Sequence, residues 1–211
     1  MTKSEVVVVG AGGHAKVCIE NLQSSGFEVA YCVANASAPD ACLGIRVLQG
    51  DDHLRELRDQ GFRKVFVAIG NNFLRARLAE DILNMGYTLV NAISAYAIVS
   101  PSVTLGNGIA IMPGAVINAE TNVGDLAIVN TGATVDHDCI IGRAAHVGPQ
   151  CGLAGNVVVG KHCFLGVGVK AIPGVRIGSA ATIGAGAVVV NDIDPEVTAV
   201  GIPARPSTLS A

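Results

Sequence analysis

The chain has 211 residues, half of them hydrophobic and 15% charged, with a net charge of −3. That is ample apolar material for two compact units and too much for a disordered chain. With no Lys/Arg cluster there is no electrostatic footprint for nucleic acid. No run of about 18 apolar residues announces a membrane span, and the apolar run at Val6–Val9 is too short for a signal peptide, so a cytoplasmic protein with no membrane partner is expected.

Glu5 to Val9 reads as a strand buried on both faces. It empties into Gly10-Ala11-Gly12-Gly13-His14-Ala15, and a helical pattern follows from Lys16 to Leu22. Further strands near Glu28–Val33, Lys64–Ile69 and Thr88–Asn91 alternate with helices near Asp52–Asp59 and Leu74–Met85. The alternation predicts an α/β, Rossmann-like domain with a parallel sheet over residues 1–92. Gly10, Gly12 and Ala15 satisfy G-x-G-x-x-A, a turn that brings backbone N–H groups and the positive end of a helix close to a phosphate. A dinucleotide site also needs an acidic residue for the ribose after the second strand, and Cys32 to Ala36 offers none. A nucleoside diphosphate on the same helix terminus remains, as does a tight turn with no ligand. Ala68-Ile69-Gly70-Asn71-Asn72 closes another strand and opens another helix, so both loops can face one crevice.

From Val99 to Val189 an aliphatic residue returns at every sixth position, with only Ala171 departing from Val, Ile or Leu. Neither a strand nor an amphipathic helix has that period; a hexapeptide β-helix does. Gly or Asn often follows the aliphatic residue and is assigned to the corners, where unusual backbone angles are expected. The fifth position is small or apolar. Residues 93–193 are therefore expected to form about five triangular coils, with residues eighteen apart stacked at the roughly 4.8 Å spacing of paired strands. Residues 194–211 form a tail. Cys139, Cys151 and Cys163 recur at the fifth position and read as reduced interior filler; none of the six cysteines forms a CxxC, and no metal site is expected.

His137 stands between Asp136 and Asp138 at the third position of its hexapeptide. Its stacked neighbours are Ala119 and Gly155, which predicts open space around the imidazole. A carboxylate beside imidazole fixes its tautomer and raises its basicity, as general-base chemistry near neutral pH requires. Asp138 is the candidate partner, with Asp136 engaged at the corner. His146 stacks between Ile128 and Phe164, and His162 sits on a corner beside Lys161.

The order of parts resembles the sialic-acid O-acyltransferase-like family of hexapeptide enzymes, particularly the bacterial N-acetyltransferases of nucleotide-linked 4-amino-sugars. The landmarks are Val9-Gly10-Ala11-Gly12-Gly13-His14-Ala15, Ile69-Gly70-Asn71-Asn72, Asp136-His137-Asp138, Ala154-Gly155-Asn156-Val157, Lys161 to Gly166, and Val200-Gly201-Ile202-Pro203-Ala204-Arg205. The resemblance implies a left-handed parallel β-helix, a homotrimer, and acetyl transfer from acetyl-CoA to a sugar amine without an acyl-enzyme or a metal. It makes His137 the general base and Asp138 its carboxylate. It places acetyl-CoA at His146, Val167 and Ala185, with the Gly155 backbone facing the thioester. Gly12, Gly13, His14 and Gly70 match the nucleotide-sugar pocket. Asn35 stands where members using UDP-sugars carry acidic residues, which favours another base, with GDP-perosamine ahead of a UDP-linked 4-amino-sugar. The competing readings are O-acetylation of a sialic-acid-type sugar, zinc chemistry of the γ-carbonic-anhydrase kind, a non-catalytic nucleotide-sugar scaffold and an NAD-dependent reductase.

Overall fold

The computed structural model describes residues 4–207. The chain forms two compact units, the first ending at Ala95 and the second beginning at Tyr96. In the first, strands β1 (Ser4–Val9), β2 (Phe27–Ala34), β3 (Ala41–Cys42), β4 (Ile45–Gln49), β5 (Lys64–Val67) and β6 (Thr88–Leu89) form a sheet of order β3-β4-β2-β1-β5-β6. All pairings are parallel except β3 with β4. Helices α1 (Gly13–Ser24), α2 (Asp52–Asp59) and α3 (Asn72–Asn84) supply the crossovers. Val6 to Val9 on the central β1 are buried, as an unbroken apolar run covered on both faces should be.

The parallel strands in chain order are β1, β2, β4, β5 and β6, and the winding reverses between β1 and β5. A crevice for ligands opens at that reversal, beyond the strands' carboxyl ends. Gly10 is required there by the fold itself. Its φ is +118°, and a Cβ would lie 2.7 Å from the Ala68 carbonyl oxygen. Strand β5 stops at Val67, short of the expected Ile69. Beyond it Ala68 still donates to the Val9 carbonyl at 2.8 Å before the chain turns toward α3. Strands β3 and β4 have no counterpart in the sequence reading. Gly44 and Gly50 bracket β4, whose five residues show too short an alternation to separate from a loop.

In the second unit two-residue strands recur every six residues from Ile98–Val99 to Val188–Val189. Each pairs in parallel with the strand eighteen residues on: Val116 with Thr134, Thr134 with Gly152, Gly152 with Lys170. Three ladders result, one per face of the prism. The first-position aliphatics Ile117, Val123, Val129, Val135, Val147 and Val159 are fully buried. Such burial contributes about 1.5–3 kcal/mol per side chain.

The corners differ from the expectation. Positive φ falls on the fourth position of the hexapeptide, at Gly108, Gly114, Glu120, Leu126, Gly132, Asp138, Ala144, Gln150, Asn156 and His162. The second-position glycines answer to coil spacing instead. A Cβ on Gly142 would lie 2.6 Å from the Gly160 carbonyl carbon and the Lys161 nitrogen, and one on Gly160 would lie 2.5 Å from the Ser179 nitrogen. After Val189, a strand at Thr198–Val200 extends one ladder, and an antiparallel strand, Arg205–Pro206, returns along it.

Candidate active site

The solenoid gives His137 its carboxylate through a backbone angle. Asp138 occupies a left-handed corner with φ 59°, a conformation Asp tolerates better than most residues. His137 Nδ1 lies 2.7 Å from Asp138 Oδ2, with both side chains about half exposed. The Asp138 hydrogen bond, and then the charge of Asp136, raise the His137 pKa above its ordinary value. Asp136 serves the corner. Its Oδ1 accepts from Asn118 Nδ2 at 2.9 Å and from the His137 backbone N–H at 2.8 Å. Those bonds, the Asn118 one foremost, hold its carboxyl below the usual range.

Gly155 lies against the His137 ring. A Cβ there would fall 2.6 Å from Cε1 and 2.7 Å from Nε2. The space expected above Gly155 is thus filled by the imidazole, so the glycine accommodates the ring. His146 is buried in its coil, pairs in register with Ile128 and Phe164 as expected, and meets the Phe164 ring edge-on at 5.3 Å. The Asn130 amide nitrogen lies 2.9 Å from His146 Nε2, which sets that nitrogen up as the acceptor. Val167 and Ala185 stack eighteen residues apart, are both exposed, and are linked by Gly186 N–H donating to the Val167 carbonyl at 2.8 Å.

Cys139, Cys151 and Cys163 are buried inside the prism. Their thiols donate to the carbonyls of Ala154, Gly166 and Gly178 at 3.2, 3.1 and 2.7 Å. Burial pushes Cys151 and Cys163 up to about 11 and raises Cys139 as well, which keeps all three as thiols near neutral pH.

In the first unit a cavity of about 420 Å³ lies at the crevice, lined by Gly10, Gly12, Asn35, Asp51, Ile69 and Arg77 among others. A larger recess of about 690 Å³ opens between α2 and α3 and shares only Asp51 and Leu78 with the lining of that cavity. Gly12 caps α1 and Gly13 begins it, while Gly70 follows β5. A Cβ on any of these three would meet nothing within 4 Å, so the fold's own packing does not require glycine there.

Arg75, which sequence reasoning missed, is buried beneath the second loop. Its Nη1 donates to the carbonyls of Ile69 and Gly70 at 2.8 and 3.0 Å, and its Nη2 to Asn72 Oδ1 at 2.8 Å. Burial lowers its pKa to about 10, leaving it charged at neutral pH. A lone arginine on a helix carries no local signal of this, because its partners lie in the preceding turn.

Burial, together with the Arg75 charge, lowers the His14 pKa to about 4. In the unfolded chain it titrates near 6.5, so the native state's advantage is complete above that pH and is lost as the pH falls toward 4. Chemical unfolding should show a loss of up to about 3 kcal/mol across that window. His14→Gln should flatten the dependence; a variant as acid-sensitive as the wild type would assign the loss to other groups.

Comparison with known proteins places this geometry. A model of the PglD N-terminal domain matches residues 5–82. The solved structure of PerB from Caulobacter crescentus, in complex with CoA and GDP-perosamine, is 52% identical to this chain, with a TM-score of 0.93 over 96% of this chain and 97% of its own. The chain belongs to the same family of hexapeptide-repeat acetyltransferases. Within that family, the acetyltransferase domain of PglB from Neisseria gonorrhoeae, in complex with acetyl coenzyme A, is 35% identical, with a TM-score of 0.90 over 97% of this chain and all of its own. The family's two parts are both present: a Rossmann-like unit and a left-handed parallel β-helix. Two forms of the Caulobacter enzyme with a substituted histidine also hold CoA and GDP-perosamine. The chain spans less than a quarter of the length of two curated relatives it matches. One is an uncharacterized protein of Acanthamoeba polyphaga mimivirus, 30% identical over 119 residues that make up 23% of it. Another is a Schizosaccharomyces pombe protein, 58% identical over 40 residues that make up 19% of it.

Among the described residues no helix is long and apolar enough to cross a membrane, and His, Cys, Asp and Glu form no group of three that could hold a metal ion.

Proposed function

We propose that the protein is a cytoplasmic, homotrimeric N-acetyltransferase that moves the acetyl group of acetyl-CoA to the 4-amino group of GDP-perosamine. The observation that carries the reading is the hydrogen-bonded His137–Asp138 pair, half exposed on the β-helix and seated over a glycine. The kinship with PerB, bound to CoA and GDP-perosamine, supports the substrate pair.

The sugar amine attacks the thioester carbonyl and a C–N bond forms. His137 Nε2 accepts the proton the nitrogen sheds, while Nδ1 stays bound to Asp138. The tetrahedral intermediate then breaks its C–S bond, and the CoA thiolate leaves with a proton from the imidazolium, restoring the base. Backbone N–H groups such as that of Gly155 supply charge stabilisation, each worth on the order of 3 kcal/mol in comparable sites. The buried, protonated cysteines fit direct transfer between two bound substrates, which gains chiefly from orientation. His146, Val167 and Ala185 line the acetyl-CoA site; Gly12, Gly13, His14, Asn35 and Gly70 hold the nucleotide sugar, the three open glycines leaving room for phosphate oxygens to approach the start of α1.

The test offers GDP-, UDP- and dTDP-linked 4-amino-sugars, with hydroxyl-bearing sugars alongside, and follows free thiol release. Preferential turnover of the GDP-amino-sugar is expected; turnover of hydroxyl acceptors alone would overturn N-acetylation. Asp138→Asn should lower kcat by roughly ten- to a hundredfold. It should also move the acidic limb of the rate profile to lower pH, because the bond that raises the imidazole pKa is weakened. An unmoved limb would reduce Asp138 to a corner residue.

A further inference from the structure

We propose that Thr121 is a positioning residue for the acetyl transfer: its buried hydroxyl, inserted in the corner that carries His137 and Asp138, holds those two side chains in their hydrogen-bonded arrangement. The inference rests on the reading of His137 as the base. Between Val103 and Ala187 the fifth position of the hexapeptide otherwise holds Ala, Val, Ile or Cys, and Thr121 is its one hydroxyl. The residue is 1% exposed. A buried hydroxyl costs stability unless it is hydrogen-bonded, and this one is engaged as donor and as acceptor on a single corner. Thr121 Oγ1 donates to the Asp136 carbonyl at 2.8 Å and accepts from the Cys139 N–H at 3.2 Å.

That insertion sets the corner apart. The hexapeptides before and after it close theirs directly: Ala133 N–H donates to the Asn130 carbonyl at 3.0 Å, and Ala145 N–H to the Gly142 carbonyl at 3.1 Å. Asp136 and Cys139 are the equivalent pair and share no direct bond; among the described residues the Thr121 hydroxyl joins them instead. The interior thiols leave the direct closure in place. Cys151 and Cys163 donate to the Gly166 and Gly178 carbonyls, yet the N–H groups of Val169 and Ala181 still reach those same carbonyls at 3.4 and 3.3 Å.

The two residues bracketed by the hydroxyl are His137 and Asp138. Their backbone is also tied to the coils on either side, with Asp138 N–H donating to the Ala119 carbonyl and Asn156 N–H donating to the His137 carbonyl, both at 3.0 Å. Thr121 fixes the width of this corner. At that width Asp138, with φ 59°, brings its Oδ2 within 2.7 Å of His137 Nδ1. Without the hydroxyl, a buried carbonyl and a buried N–H are left to satisfy each other. The corner would then draw in to the direct closure of its neighbours and shift both side chains of the pair.

Thr121→Val keeps the shape and removes the hydroxyl, whereas Thr121→Ser keeps the hydroxyl. Steady-state kinetics and the imidazole titration of His137, followed by NMR and assigned with His137→Asn, read the effect. The charged groups acting on that ring are Asp138 and Asp136, and the neighbouring coils present Ala119 and Gly155. In Thr121→Val, kcat should fall about tenfold or more, with KM for both substrates within about twofold. His137 should titrate at lower pH, because the Asp138 bond that raises its pKa is loosened. Thr121→Ser should restore both properties. A folded Thr121→Val in which His137 titrates as in the wild type overturns the assignment and reduces Thr121 to interior filler, whatever its unfolding temperature. If that variant does not fold, Thr121→Cys carries the test, since the prism already holds Cys139 at the same place one coil on. A thiol donates and accepts only weakly, so the same two changes are expected at smaller size, and their absence overturns the assignment. A fully active His137→Ala enzyme removes the base reading alone; the titration needs no turnover and decides Thr121 separately.

Discussion

His137→Ala and His137→Asn are each expected to lower kcat by roughly two to four orders of magnitude, the usual scale for removing a general base. The unfolding temperature should hardly move, because the ring is half exposed and its strongest partner, Asp138, is equally so. Binding of CoA and of GDP-perosamine, measured by titration, should survive in both variants, since the imidazole acts on the proton lost by the amine and not on either substrate's recognition elements. The pH profile separates this from a loss of packing. With the imidazole present, the rate should fall on the acid side as the ring becomes imidazolium, at a pH above an ordinary histidine's because Asp138 favours the charged form. Without it, that limb should disappear. Activity retained within a few fold in both variants would remove His137 from the proton transfer and leave the β-helix as a platform that only orients the substrates.

The His137–Asp138 hydrogen bond was legible because its two members are adjacent in the chain and its floor, Gly155, is one coil away in a strict register. Six-residue periodicity turns sequence separation into a coordinate, so the stacking of Ile128, His146 and Phe164 follows from their residue numbers alone. The same regularity hid the reason for the glycines. A residue that recurs every six positions can answer a backbone angle or a close approach, and sequence alone does not separate the two. The fold assigns positive φ to the fourth position, where Glu120, Leu126, Gln150 and His162 accept the strain, and close approach to the second. That reassignment gives Asp138 its geometry: the residue is a corner, and the corner turns its carboxylate onto the ring.

In the Rossmann-like unit the glycine turns were legible because strand, turn and helix follow one another locally. Strand β4 was not, because its place beside β2 exists only through long-range pairing and its connection includes the β3–β4 hairpin. Arg75 escaped for a related reason. A buried guanidinium bonded to two carbonyls and an amide looks, in sequence, like any arginine on an exposed helix face.

Gly155→Ala is expected to cost at least a hundredfold in kcat while leaving the fold intact. The new Cβ would come within 2.7 Å of two ring atoms of His137, and no left-handed backbone angle at Gly155 adds to the strain. The side chain that must yield is half exposed, so the ring can swing outward at little cost in stability. A base moved by about 1 Å from its working position can lose on the order of a hundredfold in rate. Gly142→Ala provides the opposite case. Its Cβ would strike the backbone of Gly160 and Lys161 at 2.6 Å, which cannot swing aside, and overpacking of that kind costs typically about 1–3 kcal/mol. Steady-state kinetics and thermal unfolding should therefore part the two glycines, one losing rate and the other stability. A double variant completes the test: if Gly155 acts through the imidazole, Gly155→Ala should cost almost nothing further in a His137→Ala background. Additive losses would mean that the Gly155 position serves the thioester directly, and a fully active Gly155→Ala would mean that the ring position seen over this glycine is not the one from which the proton is taken.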